Sequence, residues 1–256
     1  MEEFQTSEER PLISVVIPAR DEERNLPACI DAIEASAALL GEPVEILVVL
    51  DRCTDGTEAI ATGRGARVIH RDAQNLSLLR NEGVRHSRGR YVCTVDADSR
   101  MSKGVLPEVA RRLGGGGVIG GGILILPERW SLGILLTGAL IMVLLLARGL
   151  SCGLFWFRRE DFDAMGGFDE SRLSAEDIDF ALRLKRYGKT KKKSFSMLRG
   201  AHIVTSCRKF DRFGDWYFLR HPFLAFSLLK GRNREGANRL WYSFSRDCEK
   251  NHNGGA

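Results

Sequence analysis

Two acidic clusters carry the chemistry legible in this chain: Asp96-Ala97-Asp98, closing an apolar strand, and Glu176-Asp177, far downstream. The first ends the run RYVCTVDAD (Arg90–Asp98), whose β-rich composition delivers both carboxylates to the carboxyl end of a strand. Hard divalent cations prefer oxygen ligands, so two carboxylates bracketing one residue can hold such a cation against a diphosphate. The second cluster lies in GGFDESRLSAEDIDFALRL, where a glycine-bearing loop leads into an amphipathic helix. An acidic side chain there can take a proton from an acceptor hydroxyl. A cation–diphosphate site with a separate base is equipment for moving a group off a nucleotide.

The elements that must position these residues follow from hydrophobic patterning. Ile13–Ile17 predicts an apolar strand stopped by Pro18, and Leu26, Ile30, Ile33, Ala37 and Leu40 mark one face of a helix ending at Gly41. Val44–Leu50 is a continuous apolar run, as a strand buried on both faces requires. A turn at Asp51–Gly56 and a short helix follow, then a strand at Ala66–Ile69, a helix at Leu76–Arg85 and a strand at Tyr91–Val95. Alternating strands and helices predict an α/β fold with a mostly parallel sheet flanked by helices. Ligands of such sheets gather beyond the carboxyl ends of the strands, where Pro18–Glu22, Asp51 and Asp96–Asp98 all lie. The first strand-to-helix turn reads P-A-R-D-E-E, so the glycine fingerprints of dehydrogenases and P-loop enzymes are missing. Gly114–Gly117 and Gly120–Gly122 come too late for a phosphate cradle and read as a flexible loop and a tightly packed strand.

Composition bounds the partners. The net charge of +5 conceals an asymmetry: Arg183–Arg246 holds 17 Lys/Arg against 3 Asp/Glu, a balance of +14 that leaves −9 elsewhere. That basic segment is interleaved with Trp216, Tyr217, Phe218, Phe223 and Phe226 and lacks zinc-finger spacing or an RNA-binding signature. Anionic lipid headgroups or a phosphorylated substrate match it better than nucleic acid. Arg208 and Lys209 are candidates for a diphosphate or lipid phosphate, whereas His202, lone and close to a strand, reads as structural. The six scattered cysteines form no C-x-x-C pair and read as reduced, buried thiols. Acidic residues after Met1 replace the basic and apolar opening of a signal peptide, so a cytoplasmic location is expected, with the tail against the cytoplasmic face of a membrane.

Five segments resemble the family 2 glycosyltransferases, nucleotide-sugar-dependent enzymes of the GT-A fold: S-V-V-I-P-A-R-D-E-E (Ser14–Glu23), L-V-V-L-D-R-C-T-D-G-T (Leu47–Thr57), L-R-N-E-G (Leu79–Gly83), V-D-A-D (Val95–Asp98) and G-G-F-D-E…E-D-I-D (Gly166–Asp179). Their order and spacing span residues 13–187. The resemblance implies that Pro18, Arg20 and Glu22 line the nucleotide site, that Asp51 contacts the base, and that Arg80 reaches toward the nucleotide. It implies Asp96 and Ala97 near the ribose and sugar, Asp98 with Asp96 as ligands of Mn²⁺ or Mg²⁺, and Asp177 as the base with Glu176 beside it. Gly166 and Gly167 would open the acceptor loop. The donor would be a UDP- or GDP-linked sugar, and transfer would invert the anomeric centre in one step. Relatives commonly carry two aspartates where this chain reads Leu50-Asp51, and a serine where it has Cys53, so the nucleotide's identity stays open.

On this reading, residues 11–200 form the GT-A domain and 201–256 a basic, aromatic, mostly helical extension that contacts the membrane. Ser131–Ala147, SLGILLTGALIMVLLLA, is uncharged and flanked by Arg129 and Arg148. As a helix it measures about 25 Å, short of a bilayer core of about 30 Å. A crossing would also place Asp98 and Asp177 on opposite sides of the bilayer. The stretch is therefore expected either buried against the sheet or dipping into a membrane interface, and Trp216–Lys230 favours the second. A lipid-linked acceptor would follow. A nucleotidyltransferase is disfavoured by P-A-R-D-E-E, and a catalytically silent scaffold by the intact Asp98 and Asp177.

Overall fold

The computed structural model describes residues 10–172 and 174–221. Phe223, Phe226 and Cys248 therefore lie outside the described residues, as does most of the extension. Eight strands form one mixed sheet in the order β3-β2-β1-β4-β7-β6-β8-β5. They are β1 (Ile13–Ala19), β2 (Val44–Leu50), β3 (Arg67–His70), β4 (Tyr91–Thr94), β5 (Ser99–Met101), β6 (Val118–Pro127), β7 (Phe155–Arg158) and β8 (Ser194–Thr205). The β3-β2-β1-β4 half is parallel, as alternation predicts, while β7 runs antiparallel to both β4 and β6. The basic segment does not stand apart, since β8 crosses position 200 as a strand of this sheet.

β1 corrects one expectation, because Pro18 lies inside the strand and pairing with β2 continues to Ala19↔Leu50. The reason is one-sided pairing. Val16 accepts the Val95 amide on the β4 side, where strand pairing then ends, and Pro18 shares that parity. Its missing N–H therefore leaves no ladder bond unmade.

Alternation along β1 divides the core. Ile13, Val15 and Ile17 pack under α1 (Leu26–Leu40), α2 (Thr57–Gly63) and α4 (Val105–Gly114). Val16, with Leu47 and Val49 of β2, faces α3 (Leu76–His86), α6 (Arg159–Met165) and α7 (Glu176–Thr190). α3 sits close because Gly83 has no side chain; a Cβ there would lie 2.3 Å from a Val16 methyl. That approach sets Arg80, one turn earlier, at the level of the strand ends. Gly120–Gly122 fall within β6, and Cys29, Cys93, Cys152 and Cys207 are buried while Cys53 is half-buried.

α5 (Leu132–Ala147) is the helix expected from the apolar stretch, capped by Ser131, whose Oγ accepts the Ile134 amide at 3.3 Å. Only Gly133, Ile134 and Thr137 on it are buried. Among the described residues, Leu132, Leu135, Leu136, Leu140, Ile141, Val143, Leu144 and Leu146 are exposed, so these residues do not bury it against the sheet. Its foot joins α8 (Arg208–Phe213) and α9 (Tyr217–Arg220): Arg129 pairs with Asp211 and Asp215, each at 2.7 Å. Among the described residues no helix is long and apolar enough to cross a membrane.

Candidate active site

The carboxyl ends of β1, β2 and β4 converge, and the loop before α7 closes over them. Arg80 is the centre of the arrangement. From α3 its Nη2 donates to Asp96 Oδ1 at 2.8 Å and its Nη1 to Glu176 Oε1 at 3.0 Å. The guanidinium is 4% exposed and stands over the Phe168 ring, 5.3 Å from the centroid. Burial alone lowers its pKa; the carboxylates of Asp96 and Glu176 more than reverse this, so it is a permanent cation. One residue thus ties the strand-end carboxylates to the downstream acidic pair.

Asp177 opens α7 next to Glu176. Its Oδ1 accepts the Ile178 amide at 2.7 Å, and burial together with the Asp177 charge holds the neighbouring Cys152 thiol well above its ordinary pKa. Burial, reinforced by the neighbouring Glu176 charge and opposed by Arg80, raises its pKa to about 6. The side chain keeps partial solvent access, yet enough protein surrounds the carboxyl for desolvation to dominate. A carboxylate near neutrality is a competent proton acceptor at physiological pH.

The loop before α7 is held by Asn81. Its Nδ2 donates to the Phe168 carbonyl at 2.9 Å, and its Oδ1 accepts the Phe168 amide at 2.8 Å. Gly167 stands at φ +65°, where a Cβ would approach Asn81 Oδ1 to 2.7 Å, so this turn requires glycine. Ala175, just before the acidic pair, sits at φ +53°, a strained position for a residue with a side chain.

At the end of β2, Asp51 is 1% exposed and its carboxylate is fully engaged. It accepts Arg52 Nε at 3.0 Å and the Ala73 and Gln74 amides at 3.2 and 3.4 Å, and lies 3.6 Å from Arg20 Nη1. It therefore orders the loop between β3 and α3. Arg20 follows β1 with Nε and Nη1 buried and without hydrogen-bond partners, donors suited to an anionic or carbonyl-bearing ligand. Pro18 is buried within β1, and Ala97 packs into the core between Asp96 and Asp98, offering the site only backbone.

Glu22 and Asp98 meet a residue from the far end of the chain. Arg208 forms a fork on Glu22, with Nη2 to Oε1 at 2.6 Å and Nη1 to Oε2 at 3.0 Å, and its Nη2 lies 3.2 Å from Asp98 Oδ2. Burial raises the Glu22 pKa despite this partner. His202 sits on β8 with its amide donating to Ser102 Oγ at 3.1 Å, a strand position consistent with its structural reading.

The carboxylates fit a hard cation. Asp98 already tolerates a positive group against Oδ2, and Asp96 is 43% exposed with Oδ1 on Arg80. Two carboxylates at one strand end suit an ion that draws its remaining ligands from diphosphate and water. A second cluster, Asp21, Cys53 and Asp55, has ligand atoms within 4.8 Å of one another. Its carboxylates accept from Thr54, Thr57 and the Glu23 amide, locking the first two loops together.

Residues 14–133 match the family model for glycosyl transferase family 2. Over those residues, just under half of its length, the chain is similar to that family. It is 34% identical over 97 residues to EpsJ of Bacillus subtilis, an uncharacterized glycosyltransferase, covering 36% of this chain and 27% of EpsJ. Identity is 33% over 110 residues to the undecaprenyl-phosphate 4-deoxy-4-formamido-L-arabinose transferase of Pseudomonas aeruginosa, covering 40% of this chain and 32% of that protein. The chain therefore spans under a third of either relative's own length. Its fold is similar to that of the mannosyltransferase PcManGT from Pyrobaculum calidifontis, solved with GDP-Man and Mn²⁺. The TM-score is 0.60 at 16% identity, over 90% of this chain and 68% of the other. The α/β expectation and the GT-A architecture are borne out.

Two contributors to the site escape sequence reasoning. Cys152, buried in the segment before β7, is near enough to Asp177 to feel its charge, with no motif around it to mark it. Asn81 lies within L-R-N-E-G, but only the fold shows which loop it clamps.

Proposed function

We propose that this chain transfers a glycosyl group from a nucleoside-diphosphate sugar to an acceptor hydroxyl, with inversion, at a membrane surface. The observation that carries the reading is the Arg80 bridge, which sets Asp96 of the donor side and Glu176 of the acceptor side on one guanidinium. Asp177 takes the acceptor proton, the freed oxygen attacks the anomeric carbon, and the bond to the diphosphate breaks on the opposite face. Asp98 and Asp96 hold Mn²⁺ or Mg²⁺, which supplies charge stabilisation for the departing diphosphate. Pro18, Arg20, Glu22, Asp51 and Ala97 line or order the nucleotide pocket.

A thermal-shift panel of UDP-, GDP- and dTDP-sugars with Mn²⁺, Mg²⁺ or EDTA tests the reading. At a hundred times Kd, ligand binding stabilises by about 2.7 kcal/mol, and a chain of this size gains roughly 2–4 °C per kcal/mol. The expected result is a rise of roughly 5–10 °C with one nucleotide, abolished by EDTA. No rise with any of them rejects the donor assignment.

The membrane part rests on α5. Its exposed leucines form an apolar rod, Trp130 and Trp216 stand exposed at its foot, and Arg148 and Lys185 close its far end. Aromatic and basic residues around an apolar helix suit the headgroup region of an anionic bilayer. Leu140→Glu with Val143→Glu, both solvent-exposed, is expected to lower co-sedimentation with phosphatidylglycerol-containing vesicles at least about tenfold at unchanged Tm. Undiminished vesicle binding by the double variant would reject the docking surface. Failure of the parent chain to bind would point instead to residues 222–256 or a second copy as the occupant.

A further inference from the structure

The transfer chemistry described above makes no use of the Arg208 fork, yet the fork sits on the cation side of the site. Arg208 opens α8, and the backbone there is anchored. Asp211 donates its amide to Cys207, the Cys207 thiol donates to the Arg129 carbonyl, and Arg129 in turn pairs with Asp211 and Asp215. The guanidinium reaches inward to Glu22, 186 residues away in the chain, and to Asp98. Glu22 and Asp98 are each mostly buried and share one guanidinium, so their like charges face each other across it. Buried carboxylates of this kind need a compensating cation, and here the protein supplies its own.

A divalent ion on Asp98 would stand beside that guanidinium, and like charges at such range repel strongly in a partly buried setting. The two cations therefore exclude one another. We propose that Arg208 is a built-in counter-cation of the metal site: it holds Asp98 while no divalent ion is bound and leaves that carboxylate when one binds. Because α8 is fastened at its backbone, the exchange is a side-chain swing. The displaced guanidinium becomes available to the donor's diphosphate, so nucleotide and ion favour each other. The inference rests on the reading of Asp98 as a cation ligand.

The test is Mn²⁺ alone, with no nucleotide, followed by the paramagnetic resonance signal of free Mn²⁺. Arg208→Gln is expected to bind Mn²⁺ roughly tenfold tighter than the parent chain, within the range typical of coupled sites. Arg208→Lys keeps the charge but loses the fork, and should fall between the two. In EDTA both variants should melt below the parent, with Mn²⁺ restoring the difference. Equal or weaker Mn²⁺ affinity in both variants overturns the inference and makes the fork a static brace. Should Arg208→Gln fail to fold, Arg208→Lys decides alone: parental affinity overturns the exchange. A parent chain that binds no Mn²⁺ even with nucleotide overturns the metal reading itself, which the variant series by itself would not.

Discussion

Replacing Asp177 with asparagine lowers glycosyl transfer by about a thousandfold, within the roughly 10²–10⁴ that a general base contributes, and leaves donor binding intact. The fold is not weakened by this change. A carboxyl whose pKa is raised in the folded state binds more protons than in the unfolded chain, so its contribution to stability falls as pH rises from the unfolded value of about 3.9 through the folded value. For Asp177 that window closes at about 6, and above it the ionised group burdens the native state. Asp177→Asn should therefore melt no lower than the parent at pH 8. Loss of turnover together with retained or higher Tm separates a base from a structural carboxylate.

The pH profile adds a second readout. With Asp177 as base, log kcat/KM falls one decade per unit below about pH 6 and levels off above it. Glu176→Gln moves that limb to lower pH, because the Glu176 charge helps hold the Asp177 pKa up. A limb that stays in place in Glu176→Gln would remove Asp177 from the base role.

Replacing Arg80 with methionine has the largest expected effect on stability. The guanidinium is buried, and its loss strands Glu176, 13% exposed, beside Asp177 and strips Asp96 of its partner. Removing one member of a buried ion pair costs roughly 3–5 kcal/mol. Asp96 is 43% exposed and recovers water, which places the expected loss near the lower end, about 3 kcal/mol. For a chain of this size that lowers Tm by roughly 6–12 °C. The residual enzyme should show its acid limb at higher pH, since Arg80 opposes the rise in the Asp177 pKa. A Tm change under about 2 °C would show that the bridge does not organise the site.

The parallel half of the sheet was legible in the sequence because β1, β2 and β4 are buried apolar runs and the helices between them show their spacing locally. Pro18 misled because its effect depends on which side of β1 is paired, a property of the neighbouring strand and not of the residue. β7 and the mixed pairing of the sheet's second half were not legible, since pairing direction is set by connections that leave no periodic trace. For α5 the sequence narrowed the options to burial or lipid. Only the packing of its foot on Asp215 leaves its leucines outward among the described residues.

By itself, then, the sequence determined the chemistry available: carboxylates at strand ends, a separate acidic pair, and the strand–helix alternation that brings the first of these together. Such features are carried by residue type and short-range spacing. The tertiary structure alone decided the pairings. Arg80 joins Asp96 to Glu176, and Arg208 closes on Glu22 and Asp98. These contacts link residues distant in the chain, and their strength comes from burial. Local sequence encodes neither the partner nor the dielectric, and both arise only when the sheet and its helices close.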